Sequence, residues 1–107
     1  MKLALVIRIR ADSGPAWQRA LSYVESATRQ GHAVIHCFFQ AEAVRMVEDP
    51  TLRAPWIAAC EQRGIEMTVC SQAAERYQIQ VPAPFVIGGL GGVIEAAVNA
   101  DRVVSFV

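Results

Sequence analysis

Apolar residues occur along this chain in short runs that alternate with stretches of helical periodicity. The runs Leu3–Ile9, His32–Phe39 and Ile65–Cys70 are rich in β-branched and aromatic side chains, and they predict three buried strands. The segment Arg102–Phe106 predicts a last strand. Phe85–Ile87 predicts either a short fourth strand or an extended stretch.

Helical segments are predicted between these runs. The first begins after the cap-and-proline signal Asp12–Pro15 and stops at Gly31. Further helices are predicted at Ala41–Val47, from about Ala54 to Arg63, from Ser71 to about Tyr77, and at Val93–Asn99. Strand and helix therefore alternate, which predicts an α/β fold of the Rossmann or flavodoxin kind: a single three-layer domain over residues 1–107, with a mostly parallel sheet of about five strands and helices on both faces.

Composition adds an expectation about assembly. With 107 residues the chain is one domain that is long enough to bury a core without metal or disulfide support. Hydrophobic residues make up 53% and charged residues 19%. Because this is apolar for so small a protein, we expect further surface to be buried against partner subunits.

Charge and cysteine usage exclude several classes of function. Ten basic and ten acidic residues give no net charge, which argues against direct nucleic-acid binding. No stretch approaches the ~20 apolar residues of a membrane span, and Arg8 and Arg10 interrupt the apolar start, so a soluble cytoplasmic protein is expected. The three cysteines are widely spaced without a metal-ligand pattern, which indicates free thiols and no metal.

Cys70 ends the third predicted strand, and a helix-forming stretch begins at once with Ser71. Backbone N–H groups at the start of a helix favour an anion, so a thiol in this position can lose its proton near neutral pH. Cys70 is therefore the candidate sulfur nucleophile. The alternative is a small buried residue at a strand end, because free cysteine is among the most buried residue types.

The other two cysteines are better explained by packing. Cys37 lies inside the second strand, where alternation places its side chain on the face opposite His36 and weakens a Cys–His pair. Cys60 lies among alanines on a predicted helix. Neither position predicts chemistry.

Two further segments can reach the carboxyl edge of the sheet, where ligands bind in such folds. Gln40 and Glu42 follow the second strand, with a solvated loop pair as the alternative. The glycine-rich turn Gly88–Gly92 fits neither the dinucleotide-binding nor the P-loop pattern. It predicts a tight turn or a close backbone approach, and nucleotide binding is the less favoured alternative.

Three stretches together resemble the DsrE/TusD family of small sulfurtransferases. The resemblance covers almost the whole chain in order, and its carboxyl-terminal stretch is the most specific. The stretches are Phe38–Val44, Cys70 with Ala73 and Ala74 in the following helix, and Gly89–Gly91 through Glu95 and Ala96 to Asp101–Phe106.

The resemblance implies a DsrE-like fold and a cytoplasmic carrier that accepts sulfane sulfur as a persulfide on Cys70. It passes this sulfur to a relay partner, in tRNA thiolation or in sulfur oxidation. No cofactor is implied. Gly89 and Gly91 are expected to leave room for the extra sulfur atom, with Gln40 and Glu42 at the same edge.

The resemblance also implies partners. One protein is expected to donate sulfur to this chain, and another is expected to accept it. The chain is also expected to form an oligomer, either of itself alone or with related DsrE-like subunits. The segment Tyr77–Ile87 is shorter than the one expected in hexamer-forming members, so a stand-alone homo-oligomer is one of the options. A non-catalytic assembly subunit, in which Cys70 only packs, is the alternative function.

Overall fold

Five strands form one fully parallel sheet, in the order β4-β3-β2-β1-β5. The computed structural model covers residues 1–107. The strands are β1 (Lys2–Ile7), β2 (Ala33–Phe39), β3 (Glu66–Cys70), β4 (Val86–Gly88) and β5 (Arg102–Phe106). The predicted α/β class and strand number are therefore confirmed, and the short run at residue 86 is a true strand.

Four α-helices and one 3₁₀ helix connect the strands. They are α1 (Pro15–Arg29), the 3₁₀ helix (Ala41–Glu48), α2 (Pro50–Arg63), α3 (Ser71–Arg76) and α4 (Leu90–Asn99). The connections from β1 to β4 all step in one direction across the sheet, whereas the connection from β4 to β5 crosses back. Because parallel crossovers are right-handed, α1, α2 and α3 cover one face and α4 covers the other. No helix has the length and apolar character that a membrane span requires.

The main core lies between the sheet and the face that carries α1 and α2. Trp17 of α1, Phe39 of β2 and Trp56 of α2 pack there as an aromatic cluster, with ring centroids 5.2 to 6.3 Å apart. The opposite face is covered sparsely, because Ala96 is the one buried residue of α4. The sheet is thus buried on one side and only partly covered on the other.

Helix α2 begins at Pro50, four residues before the predicted start at Ala54. The Asp49 carboxylate accepts hydrogen bonds from the backbone N–H groups of Thr51 and Leu52, at 2.9 and 3.3 Å. Proline suits the first helical position, where its missing N–H has no intrahelical partner. The cap therefore extends the helix beyond its apolar stretch.

Helix α4 also begins earlier than predicted, at Leu90 rather than Val93. Gly89 is the extended cap residue, and Gly91 and Gly92 lie in the first helical turn. The predicted glycine turn is therefore mostly helix, because fold context overrides the low helix propensity of glycine.

Strand β1 ends at Ile7, two residues before its predicted end at Ile9. Ile7 pairs with Phe39 and with Phe106, which are the last residues of β2 and β5. The three central strands thus end together, and their carboxyl ends form one edge of the sheet.

A candidate thiol site at the carboxyl edge of the sheet

Cys70 is the last residue of β3 and directly precedes the first residue of α3. Within β3 the side chains alternate, so Met67 and Val69 enter the main core while Thr68 contacts His36 on the other face. Cys70, at the end of the strand, packs against the main core. The Cys70 side chain is half-buried. The predicted placement at a strand end before a helix is therefore what the fold shows.

Cys70 lies in the wall of two adjoining cavities. The first has a volume of about 240 Å³ and the second about 230 Å³. Cys70, Gln40 and Gln72 line both. The first cavity is completed by Phe38, Ser71, Gly89 and Leu90, and the second by Arg8, Ala41, Ala73, Arg76 and Tyr77. Cavities thus adjoin Cys70 on two sides of the junction between β3 and α3.

Arginine side chains surround the second cavity. Arg8 and Arg76 line it, and the guanidinium carbon of Arg45 lies 4.4 Å from the centre of the Tyr77 ring. No aspartate or glutamate lines either of the two cavities. The charged side chains around the thiol are therefore cationic rather than acidic.

The predicted site residues separate into two groups. Gln40 and Gly89 line cavities with Cys70. Glu42 lines another cavity, of about 420 Å³, where its carboxylate lies 3.5 Å from Arg10 and 3.9 Å from Arg45. Gly91 is exposed in the first turn of α4, and no atom lies within 4 Å of where a Cβ would be. The fold brings Gln40 and Gly89 to the thiol and leaves Glu42 and Gly91 outside its cavities.

The other cysteines line none of the five cavities. Cys37 is completely buried in the main core, and this burial raises the pKa of its thiol. Partial burial and the neighbouring Glu61 carboxylate raise the pKa of Cys60 on α2. No group of three or more His, Cys, Asp or Glu side chains converges as a metal site would require.

A buried polar pair supports the strand that carries the thiol. His36 Nε2 lies 2.8 Å from Thr68 Oγ1, and His36 Nδ1 lies 3.5 Å from the Glu66 carboxylate. Strand β4 passes so close to this pair that a Cβ at Gly88 would lie 3.1 Å from the Thr68 Cβ. Gly88 pairs with Cys70 on the neighbouring strand. The glycine thus allows the close approach of β4 beside the thiol.

Comparison with known proteins decides the family. A model of the DsrE/DsrF-like family matches residues 1–106. This chain belongs to the DsrE/DsrF-like family. The resemblance seen in the sequence is thereby confirmed.

Curated relatives of this DsrE/DsrF-like protein carry sulfurtransferase names. The chain is 30% identical over 128 positions to "Sulfurtransferase TusD homolog" of Pseudomonas aeruginosa, covering 99% of this chain and 97% of that protein. It is 30% identical over 121 positions to "Sulfurtransferase TusD" of Serratia proteamaculans, covering 88% and 94%. Because the first alignment is longer than the 107 residues here, that relative has residues without a counterpart in this chain.

A solved structure shares the fold of this DsrE/DsrF-like protein. The crystal structure of the YchN protein from E. coli matches with a TM-score of 0.70 and covers 99% of this chain and 100% of that one. Sequence identity is 16%, so the match concerns the fold alone. It agrees with the α/β architecture described above.

Sequence reasoning missed several residues of the DsrE/DsrF-like thiol site. Arg8 directly follows β1 as Gln40 follows β2, but the sequence predicts this strand to continue to Ile9, so the strand end that would have pointed to Arg8 was misplaced. Gln72 and Arg76 lie in α3, and no pattern distinguishes them from other exposed helical positions. Ala41 has φ 53°, a left-handed backbone conformation that is uncommon for residues other than glycine, and nothing in the neighbouring sequence predicts this conformation.

Proposed function

We infer that this DsrE/DsrF-like protein is a sulfurtransferase of a sulfur relay and that Cys70 carries sulfane sulfur as a persulfide. The observation that carries this proposal is the position of the thiol. Cys70 is the one cysteine of three that lines cavities at the carboxyl edge of the sheet. The names of the TusD relatives point to the same reaction class.

The proposed reaction is an exchange of one sulfur atom between two thiols. The Cys70 thiolate attacks the terminal sulfur of a donor persulfide, forms a new S–S bond and releases the donor as a thiolate. The persulfide on Cys70 is then attacked by an acceptor thiolate in the same manner. Atoms and electrons balance in each step, so neither step needs an external oxidant.

The neighbouring residues have distinct parts in this proposal. Gly89 has no side chain, and a Cβ there would meet no atom within 4 Å, so space next to the thiol is available for a second sulfur atom. The amides of Gln40 and Gln72 can donate hydrogen bonds to anionic sulfur in either cavity. Glu42 and Gly91 have no part in it, because they lie outside these cavities.

Sulfur loading tests the proposal. The protein is incubated with a persulfidated cysteine desulfurase, and intact mass and peptide mapping locate any added sulfur. We expect one sulfur atom on Cys70, removable by dithiothreitol. C70S should gain none, whereas the matched variant C60S should load normally. Sulfur on Cys37 or Cys60 with none on Cys70 would overturn the proposal.

A non-catalytic subunit is the second candidate, and the contact of Cys70 with the main core favours it. Thiol reactivity separates the two roles. Iodoacetamide at neutral pH should label Cys70 of a carrier in the folded protein much faster than the buried Cys37. Equal resistance of both thiols would favour the subunit role.

We also propose that the chain works as an oligomer of itself. Leu90, Ile94 and Val98 are spaced four residues apart on α4, and they are 68%, 56% and 77% exposed. Val86 and Val103, on the two edge strands, are also exposed. So many exposed aliphatic side chains on one helix and on both edge strands are typical of a surface that a subunit covers.

A further inference from the structure

We propose that Cys70 also takes sulfane sulfur from a small oxoanion, with thiosulfate as its simplest member, and that Arg8 and Arg76 bind the oxygen atoms of this donor. This inference rests on the proposed function, because Cys70 receives the sulfur. It adds a second chemical class of donor beside the protein persulfide.

The first observation is that no carboxylate or hydrogen-bonding side chain engages the two arginines, although the guanidinium carbon of Arg76 lies 6.0 Å from the centre of the Tyr77 ring. Neither guanidinium group of Arg8 or Arg76 makes a salt bridge or a side-chain hydrogen bond. The nearby Arg10, by contrast, binds the Asp12 carboxylate through two nitrogens, at 2.9 and 3.0 Å. The arginines beside the thiol thus keep their donors free.

The second observation is the charge of the cavity. Arg8 and Arg76 come from different elements, the segment after β1 and the end of α3, yet both line the cavity that contains Cys70. Its other polar side chains are uncharged, and no carboxylate lines it. An anion entering this cavity therefore meets two cations and no side chain of its own sign.

The third observation is that the arginine N–H groups and the cavity suit the shape of an oxoanion. Guanidinium groups donate paired N–H bonds that suit oxoanions. The cavity volume of about 230 Å³ exceeds that of a tetrahedral oxoanion, and Tyr77 forms one wall under the Arg45 guanidinium. Thiosulfate can bind there with its oxygens toward the arginines and its outer sulfur toward Cys70.

The transfer step balances without a further reactant. The Cys70 thiolate attacks the outer sulfur of thiosulfate and forms the S–S bond of a persulfide. The S–S bond within thiosulfate breaks, and sulfite leaves with the electron pair. The negative charges on the two sides are equal, as the thiolate and the thiosulfate dianion become a persulfide anion and the sulfite dianion.

Single-turnover loading with thiosulfate tests this inference. Sulfite release and intact mass are followed for the wild type, R8Q, R76Q and the double variant. We expect each single variant to lower the second-order loading rate about threefold to tenfold, and added salt to lower the wild-type rate. R19Q is the matched control, because Arg19 is exposed on α1 and lines no cavity, and its rate should equal that of the wild type.

A parallel arm uses the persulfidated cysteine desulfurase in place of thiosulfate. If that donor loads Cys70 and thiosulfate does not, the oxoanion inference fails while the proposed function stands. The inference also fails if the arginine variants load from thiosulfate as fast as the wild type. It fails as well if these variants lose loading only from the protein donor, because the arginines then serve protein docking. If neither donor loads Cys70, the proposed function fails as well.

Discussion

At the scale of single residues, the difference between the two strand cysteines follows from where each one lies along its strand. Cys37 lies inside β2, on the side that faces α1 and α2, and it is completely enclosed. Cys70 lies at the carboxyl end of β3, where it contacts the main core but stays partly open. A position inside a strand thus gives an enclosed thiol, whereas a position at a strand end gives an accessible one.

The buried thiol predicts a pH dependence of stability. Burial raises the pKa of Cys37 in the folded state, so the unfolded chain releases this proton at the ordinary thiol pKa while the folded chain keeps it. Above that ordinary value the unfolded state binds fewer protons. The free energy of unfolding should therefore fall with pH, by up to about 1.4 kcal/mol per unit from this group. Below the ordinary value the group contributes no slope.

Urea unfolding from about pH 7 to about pH 10 measures this effect. C37A should unfold at lower urea throughout, because it leaves a cavity, but its stability should fall less steeply above the ordinary thiol pKa. V24A serves as the control, because it also leaves a cavity in the main core but keeps the Cys37 thiol, and it should keep the wild-type slope. Parallel pH profiles for the wild type and C37A would contradict the prediction.

At the scale of elements, caps and strand neighbours decided the boundaries. Helix α2 gains its first turn from the Asp49 carboxylate, although its apolar residues begin later. Strand β1 stops at Ile7 because both of its partner strands end at the same level. An apolar pattern predicts where side chains are buried, and these boundaries depend on hydrogen bonds that the pattern does not contain.

Removing the cap of α2 should destabilise the whole domain. D49A loses the acceptor for two backbone N–H groups and should lower the free energy of unfolding by about 0.5–2 kcal/mol. The loss reaches the core because α2 contributes the fully buried Trp56. Urea unfolding measures it, and D49N, which keeps a capping oxygen, should stay close to the wild type. Equal losses in D49A and D49N would show that charge, not capping, is responsible.

At the scale of the whole molecule, the two faces of the sheet are unequally covered. The main core fills one face, while α4 buries little more than Ala96 on the other. The exposed aliphatic residues of α4 and the edge strands account for part of the high hydrophobic fraction of the chain. This imbalance is the physical reason to expect an oligomer.

A charge on the exposed face of α4 should break that oligomer. I94D places a carboxylate between Leu90 and Val98, where a subunit interface would have to desolvate it. Light scattering after gel filtration should show multiples of the 11.7 kDa chain mass for the wild type and the single mass for I94D. Q18D, a change at an exposed position of α1, should leave the assembly intact. A monomeric wild type would contradict the proposal.

The class of fold and the place of the candidate nucleophile can be predicted from the order of residues alone. Strand and helix periods are local properties, so the alternation of the two and the position of Cys70 between them follow from neighbouring residues. The family resemblance carried by Phe38–Val44 and the carboxyl-terminal stretch is of the same kind, since it lies in the order of residues. Each of these features is shown by the fold or by the family match.

Which side chains meet beside Cys70 depends on how the strands and helices pack together. Strand order and the handedness of the crossovers bring Gln40 and Gly89 to Cys70, and they direct Glu42 toward Arg10 instead. The same packing places arginines from two distant segments around the thiol. Distances across a sheet depend on which strands are neighbours, and no local pattern along the chain encodes that order.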